Sequence, residues 1–178
     1  MKISILLPYK ENYSPIYAGA VSIFVNSTSR ISKFKSNINV FGSTNYTKFL
    51  SKNYKNIELK KKLFSSQSKN YVKKFIEIQK RNKPNIIEVH NRPIYVNDLV
   101  ELNSKIILYF HNDPLSMSGS KTVNERILLL NKCEKIIFNS EWSKKQFLLK
   151  LNNFYHKSKK LEVIHQSINK AKIDFNKK

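Results

Sequence analysis

Three short runs carry side chains that could do chemistry together: His90-Asn91-Arg92, His111-Asn112-Asp113 and Asn139-Ser140-Glu141, each directly after an apolar stretch. In the second, an imidazole able to exchange protons near neutral pH, an amide and a carboxylate share one turn. His111 and Asp113 are therefore the candidate catalytic groups, and Asn112 a candidate ligand contact. A plainer reading stands beside it, in which Asp113 or Asn112 holds the turn and His111 is a hydrogen-bonded, partly buried ring. His90, Asn91 and Arg92 occupy the corresponding place on another strand, so two such clusters argue for a shared binding site. Ser140 reads first as the cap of the helix that begins there, with Glu141 complementing its positive end. Exposed amides at that helix start can also face an anion, which keeps Ser140 among the candidate binding residues. Gly19 lies between the first strand and the first helix, where glycine permits either close approach to a ligand or tight packing.

Other chemistries fail on spacing. Glycine occurs only at positions 19, 42 and 119, too few and too scattered for a dinucleotide fingerprint. Ser118-Gly119-Ser120-Lys121-Thr122 lacks the earlier glycine of a phosphate loop. The histidines at 90, 111, 156 and 165 have no close metal-ligand spacing, and the single cysteine, Cys133, makes neither a zinc knuckle nor an internal disulfide. No metal site is expected, and Cys133 reads as a buried structural thiol.

The elements that must position these residues alternate along the chain. Lys2 to Leu7 is a β-branched strand of the kind buried on both faces of a parallel sheet. Val21, Phe24, Val25, Thr28, Ile31 and Phe34 fall on one helical stripe. Ile38 to Gly42 predicts a second strand and Ile57 to Leu63 a weaker third, with 43–68 poorly specified. A helix through Tyr71, Val72, Phe75, Ile76 and Ile78 must stop before Pro84. Strands then follow at Asn85 to His90, Lys105 to Phe110, Lys135 to Phe138 and Leu161 to Ile164. Helices are expected after Pro93, from about Lys121 through Leu130, and from the Asn139 cluster through Leu149. Strand, turn and helix repeated in this way predict an α/β chain with a Rossmann-like parallel sheet and helices on both faces. Such sheets bind ligands outside the carboxyl ends of their strands, which is where the polar clusters fall.

At 178 residues the chain suits one domain, over 1–169, with 170–178 as a basic linker or tail. Hydrophobic residues at 40% are ample for a core. The apolar start is cut short by Pro8 and Lys10, so it reads as a strand and not a secretion signal; a cytoplasmic protein is expected. The net charge of +21 points to polyanions. It comes mostly from scattered lysines, however, and only Arg30, Arg81, Arg92 and Arg126 could offer a planar fork. That disfavours nucleic acid as the partner and leaves peripheral contact with an anionic membrane face as an expectation.

Taken together, the strand and helix order, Gly19, the His90 cluster, Tyr109-Phe110-His111-Asn112-Asp113-Pro114, Glu125-Arg126, and Ile136-Ile137-Phe138-Asn139-Ser140-Glu141-Trp142-Ser143 resemble glycosyltransferase family 4, which has the GT-B fold. The resemblance spans the whole chain and is to the N-terminal, acceptor-side half. It implies a retaining, metal-free transfer from a nucleotide-sugar, as co-substrate and not cofactor, to a cell-envelope saccharide or lipid-linked acceptor. It also implies that His111 lies near the donor sugar, that Asn112 and Asp113 shape the pocket, that Gly19 approaches the donor phosphates or acceptor, and that His90-Asn91-Arg92 faces the acceptor. In the family, two glutamates with seven residues between them lie in a second, donor-binding domain; no pair here has that spacing. That domain is expected in cis or in trans, and this half alone is expected to be inactive. The alternatives are a polyanion-binding or a regulatory interaction domain.

Overall fold

A run with no polar side is best satisfied by a strand covered on both faces, and Ile3–Leu6 forms such a strand, β1, with all four side chains buried. The computed structural model describes residues 1–59, 66–151 and 159–166. The other strands are β2 (Ile38–Gly42), β3 (Tyr54–Asn56), β4 (Ile86–His90), β5 (Lys105–Phe110), β6 (Lys135–Phe138) and β7 (Leu161–Val163). The α-helices are α1 (Ala20–Ile31), α2 (Gln67–Asn82), α3 (Val96–Leu99), α4 (Val123–Lys132) and α5 (Glu141–Leu148). Among the described residues the strands form one sheet in the order β3-β2-β1-β4-β5-β6-β7, with every pair parallel. This is the Rossmann-like α/β architecture read from the sequence.

Alternation along β1 divides the interior in two. Ile3, Ile5 and Leu7 join Val21 and Val25 of α1 on one face. Leu6 looks the other way, into the larger cluster that also takes Tyr71, Phe75, Val96, Leu99, Leu129, Leu130 and Phe147 from α2 to α5. Helices therefore cover both faces, but unevenly. Burial of this apolar surface is the main favourable contribution to folding.

Local signals set the ends of the helices. Ser66 caps α2 by accepting from Lys69 N. That helix stops at Lys83, in the left-handed region at φ 48°, immediately before Pro84. Thr122 and Glu125 form a reciprocal capping box at the start of α4. The Ser118 to Thr122 run thus ends as a helix cap. Cys133 is buried, and burial pushes its thiol up to about 12. Arg126 is 2% exposed and donates to the carbonyls of Ser120, Lys121 and Leu149, tying the turn before α4 to the end of α5.

One expected strand is corrected. Strand β3 spans Tyr54–Asn56, not Ile57 to Leu63. Tyr54 is fixed there by stacking on Tyr13 with ring centroids 4.8 Å apart, while Ile57 is buried just beyond the strand. The remainder of the expected strand, 60–63, and the tail 170–178 lie outside the described residues. Among the described residues no helix is long and apolar enough to cross a membrane.

Candidate functional site

The chain runs outward through β1, β2 and β3, then returns by α2 to lay β4 along the free edge of β1, with Leu6 paired to both Phe41 and Val89. At this reversal the loops after β1 and β4 diverge, leaving a crevice at the carboxyl ends of the strands. A cleft of about 440 Å³ opens there, lined by Pro8, Glu11, Ala20, Val21, Asn91, Arg92, His111, Asn112 and Gln166. Its volume falls in the range of small-ligand sites.

His111 is the most constrained group in the wall. Its backbone N–H donates to Asn91 Oδ1 at 2.7 Å, and its carbonyl accepts from Asn139 Nδ2 at 2.7 Å. Asn139 is held in turn by Ser143 Oγ at 3.0 Å. Asn91 reaches across because its backbone takes the left-handed conformation, φ 50°, which asparagine tolerates better than most residues. The His111 ring is edge-on to Phe24 at 5.0 Å and hydrogen-bonded through Nε2 to His90 Nδ1 at 2.9 Å, while Gln166 Nε2 meets Nδ1. Burial, and secondarily the neighbouring His90, lower the His111 pKa to about 3. The ring is therefore neutral across the physiological range. Its chemistry is that of a hydrogen-bonding imidazole rather than the near-neutral proton shuttle expected from its residue type.

This shift has a consequence for stability. An unfolded His111 would protonate around 6.5, whereas the folded one resists protonation down to about 3. Stability is thus lost as pH falls through this window and changes no further from this source below it. Urea denaturation at pH 7.5 and pH 4.5 is expected to show a larger acid loss in the wild type than in His111→Gln. Equal losses would contradict the buried neutral ring.

The other sequence candidates separate into two groups. His90, Asn91, Arg92, His111 and Asn112 gather at the cleft, with Asn91, Arg92, His111 and Asn112 in its wall and His90 buried behind His111. Asp113 and Ser140 take the structural alternative noted for each. Asp113 Oδ1 accepts from Leu115 N at 3.0 Å in the turn after β5, and Ser140 Oγ accepts from Ser143 N at 3.1 Å as the cap of α5. Neither side chain lines the cleft.

Gly19 caps α1 at an ordinary φ of −71°. A Cβ there would lie 1.9 Å from Glu11 Oε1, so a larger residue must displace that carboxylate. That carboxylate accepts from Ser22 N at 3.1 Å and so occupies the positive end of α1. Sequence inspection missed Glu11, Gln166 and Phe24, since single residues in loops or on a helical stripe carry no spacing signal. In a double-mutant cycle, Gly19→Ala is expected to displace the carboxylate and cost about 1 kcal/mol relative to the same change in a Glu11→Ala background. A coupling near zero in urea denaturation would remove this account of Gly19.

Arg92 and Glu11 are the charged groups in the described wall, one of each sign. Among the described residues no three His, Cys, Asp or Glu side chains are grouped as metal ligands.

No family model and no curated protein matches the chain. Solved structures do. The chain is similar to Anabaena Alr3699/HepE in complex with UDP, with a TM-score of 0.60 and 13% identity, over 95% of this chain and 45% of that one. It is similar to S. aureus MnaA in its UDP co-structure, at 0.53 and 11%, over 90% and 44%. The UDP-GlcNAc 2-epimerase from Methanocaldococcus jannaschii gives 0.50 and 15%, over 93% and 45%. The likeness is one of fold and supports a Rossmann-like unit of GT-B type. The chain spans less than half the length of each of these structures.

Proposed function

We propose that the chain is the N-terminal, acceptor-side half of a retaining glycosyltransferase of the family 4 kind. In this reading a sugar moves from a nucleotide-sugar to a cell-envelope saccharide or lipid-linked acceptor. The observation that carries the proposal is the cleft at the β1–β4 reversal, where His111 is held by both Asn91 and Asn139. The solved structures add support: two of HepE contain UDP or UDP-glucose, MnaA contains UDP, and the archaeal enzyme is an epimerase of a UDP-sugar.

The wall residues suit a ligand that is part sugar and part anion. His111 and Asn112 can exchange hydrogen bonds with hydroxyls, and the Arg92 guanidinium can meet a phosphate or an acidic acceptor. A second Rossmann-like domain, in cis or in trans, supplies most of the donor contacts and the charge stabilisation of the leaving phosphate. The lysine-rich surface favours an anionic membrane face close to a lipid-linked acceptor.

Amide chemical shifts during titration with UDP, UDP-glucose and UDP-GlcNAc test the reading. Perturbation concentrated at 8–12, 91–92 and 111–112 is expected, followed by sugar transfer when a donor-binding domain is supplied. With a donor-binding domain supplied, silence in those loops with every nucleotide-sugar and no sugar transfer would overturn it. Salt-sensitive binding of DNA or RNA elsewhere on the surface would favour a polyanion-binding domain.

A further inference from the structure

Behind the cleft wall lies a polar arrangement that the proposed function does not use. His90 is 1% exposed and lies between two partners. Its Nδ1 is 2.9 Å from His111 Nε2, and its Nε2 is 3.6 Å from Glu88 Oε2 without any hydrogen bond. The arrangement follows from strand geometry, because residues two apart in β4 share a face and His90 pairs with Tyr109, two residues before His111.

We infer that Glu88 is a positioning residue for the cleft: facing His90 Nε2, it fixes the His90 tautomer and, through the bond between the two rings, leaves His111 Nδ1 unprotonated toward the ligand. The inference rests on the cleft being the working site and specifies which ligand group that site accepts.

The argument is one of proton accounting. One proton lies in the bond between His90 Nδ1 and His111 Nε2 when both rings are neutral, and either nitrogen can carry it. If His90 Nδ1 carries it, His90 Nε2 presents a buried lone pair toward the Glu88 carboxylate, with no donor between them. If His111 Nε2 carries it, His90 Nε2 bears the hydrogen and its positive edge faces that carboxylate. The second arrangement is electrostatically favoured, and desolvation at a buried site strengthens the preference. His111 Nδ1 is then a lone pair, matching the Gln166 Nε2 amide that meets it.

The remaining surroundings do not oppose this assignment. Tyr109 of β5 lies flat on His90 at 4.8 Å, and its phenol is held neutral by burial and by the charges of Glu88 and Glu162. Phe24 of α1 is apolar and covers both rings. Arg92 and Glu11 line the cleft beyond His111.

At its Nδ1, therefore, the cleft selects a hydrogen-bond donor. A ligand hydroxyl fits there, of a sugar or of an acceptor alcohol, taking the place of the Gln166 amide. A phosphate oxygen would set lone pair against lone pair and must bind elsewhere along the wall, with Arg92 the available cation.

Long-range proton–nitrogen correlation spectra of the ligand-free, nitrogen-labelled protein at pH 7.5 read both tautomers directly. The expected pattern is an unprotonated Nδ1 and protonated Nε2 in His111, with a protonated Nε2 in His90. In Glu88→Gln the charge is gone and the His111 Nδ1 resonance is expected to move toward the protonated position. Glu88→Asp, which withdraws the charge by one methylene, is expected to move it in the same direction by less, and provides the comparison should the glutamine variant not fold. A protonated His111 Nδ1 in the wild type, or unchanged resonances in whichever variants fold, would overturn the inference. Because no ligand is present, these outcomes are separate from those of the nucleotide-sugar titration.

Discussion

Replacing His111 with alanine is expected, if the chain is the acceptor-side half proposed above, to lower sugar transfer, measured with a donor-binding domain supplied, by roughly 10²-fold or more, the scale on which preorganised hydrogen-bonding groups act. The expectation follows from how the residue is held. Its amide and carbonyl are engaged by Asn91 and Asn139, its ring packs against Phe24, and its Nε2 is bonded to His90. So fixed, the ring loses little freedom when it meets a ligand, and its removal cannot be compensated by a flexible neighbour. The loss should fall mainly on kcat if the imidazole contact strengthens as the sugar is transferred, and on KM if the contact holds ground and transition states equally. Full activity in a folded His111→Ala protein would remove this residue from the mechanism. By contrast, Asp113→Asn preserves a side-chain oxygen that can accept from Leu115 N and is expected to stay within about tenfold of the wild type, as suits a turn-forming residue.

The largest effect on stability is expected at Arg126, which does not line the cleft. Its guanidinium donates to three carbonyls from two separate segments while being 2% exposed. Arg126→Ala leaves those acceptors with one fewer donor each and opens a cavity between α4 and α5. A loss on the order of 3–5 kcal/mol is expected, a large share of the stability of a domain this size. Lysine keeps the charge but cannot reproduce the planar fork, and should recover only part of the loss. Chemical denaturation of both variants checks this, and a cost below about 1 kcal/mol for alanine would show that the carbonyls find other donors.

Much of the sheet was legible in the sequence because buried parallel strands are written as short apolar runs. Strands β5 and β6 begin and end at the residues expected, Lys105 to Phe110 and Lys135 to Phe138. Strand β3 was not, because three residues cannot display a period and Tyr54 is held by stacking on Tyr13, from the loop after β1, as well as by Phe49 close by in sequence. At the site, the two histidine clusters were visible as polar turns following strands, and the sheet brings them within hydrogen-bond distance. Glu88 was passed over as one polar residue within Ile86-Ile87-Glu88-Val89. Its spacing of two from His90, which places both on one strand face, is the signal that could have marked it. Glu11 left no such trace, since its role depends on a loop returning to Gly19.

The place of β1 between β2 and β4 also has a consequence during synthesis. Ile3 pairs with Ile38 on one side and with Ile86 on the other. A ribosome completes β2 at Gly42 and β4 at His90, 48 residues later, since 90 minus 42 is 48. At roughly 5–20 residues per second this leaves one edge of the most buried strand unpaired for several seconds on each nascent chain. Until β4 emerges, the half-made sheet can be mispaired by a neighbouring polypeptide, so premature termination or a long pause in this interval should yield insoluble fragments rather than a smaller folded product.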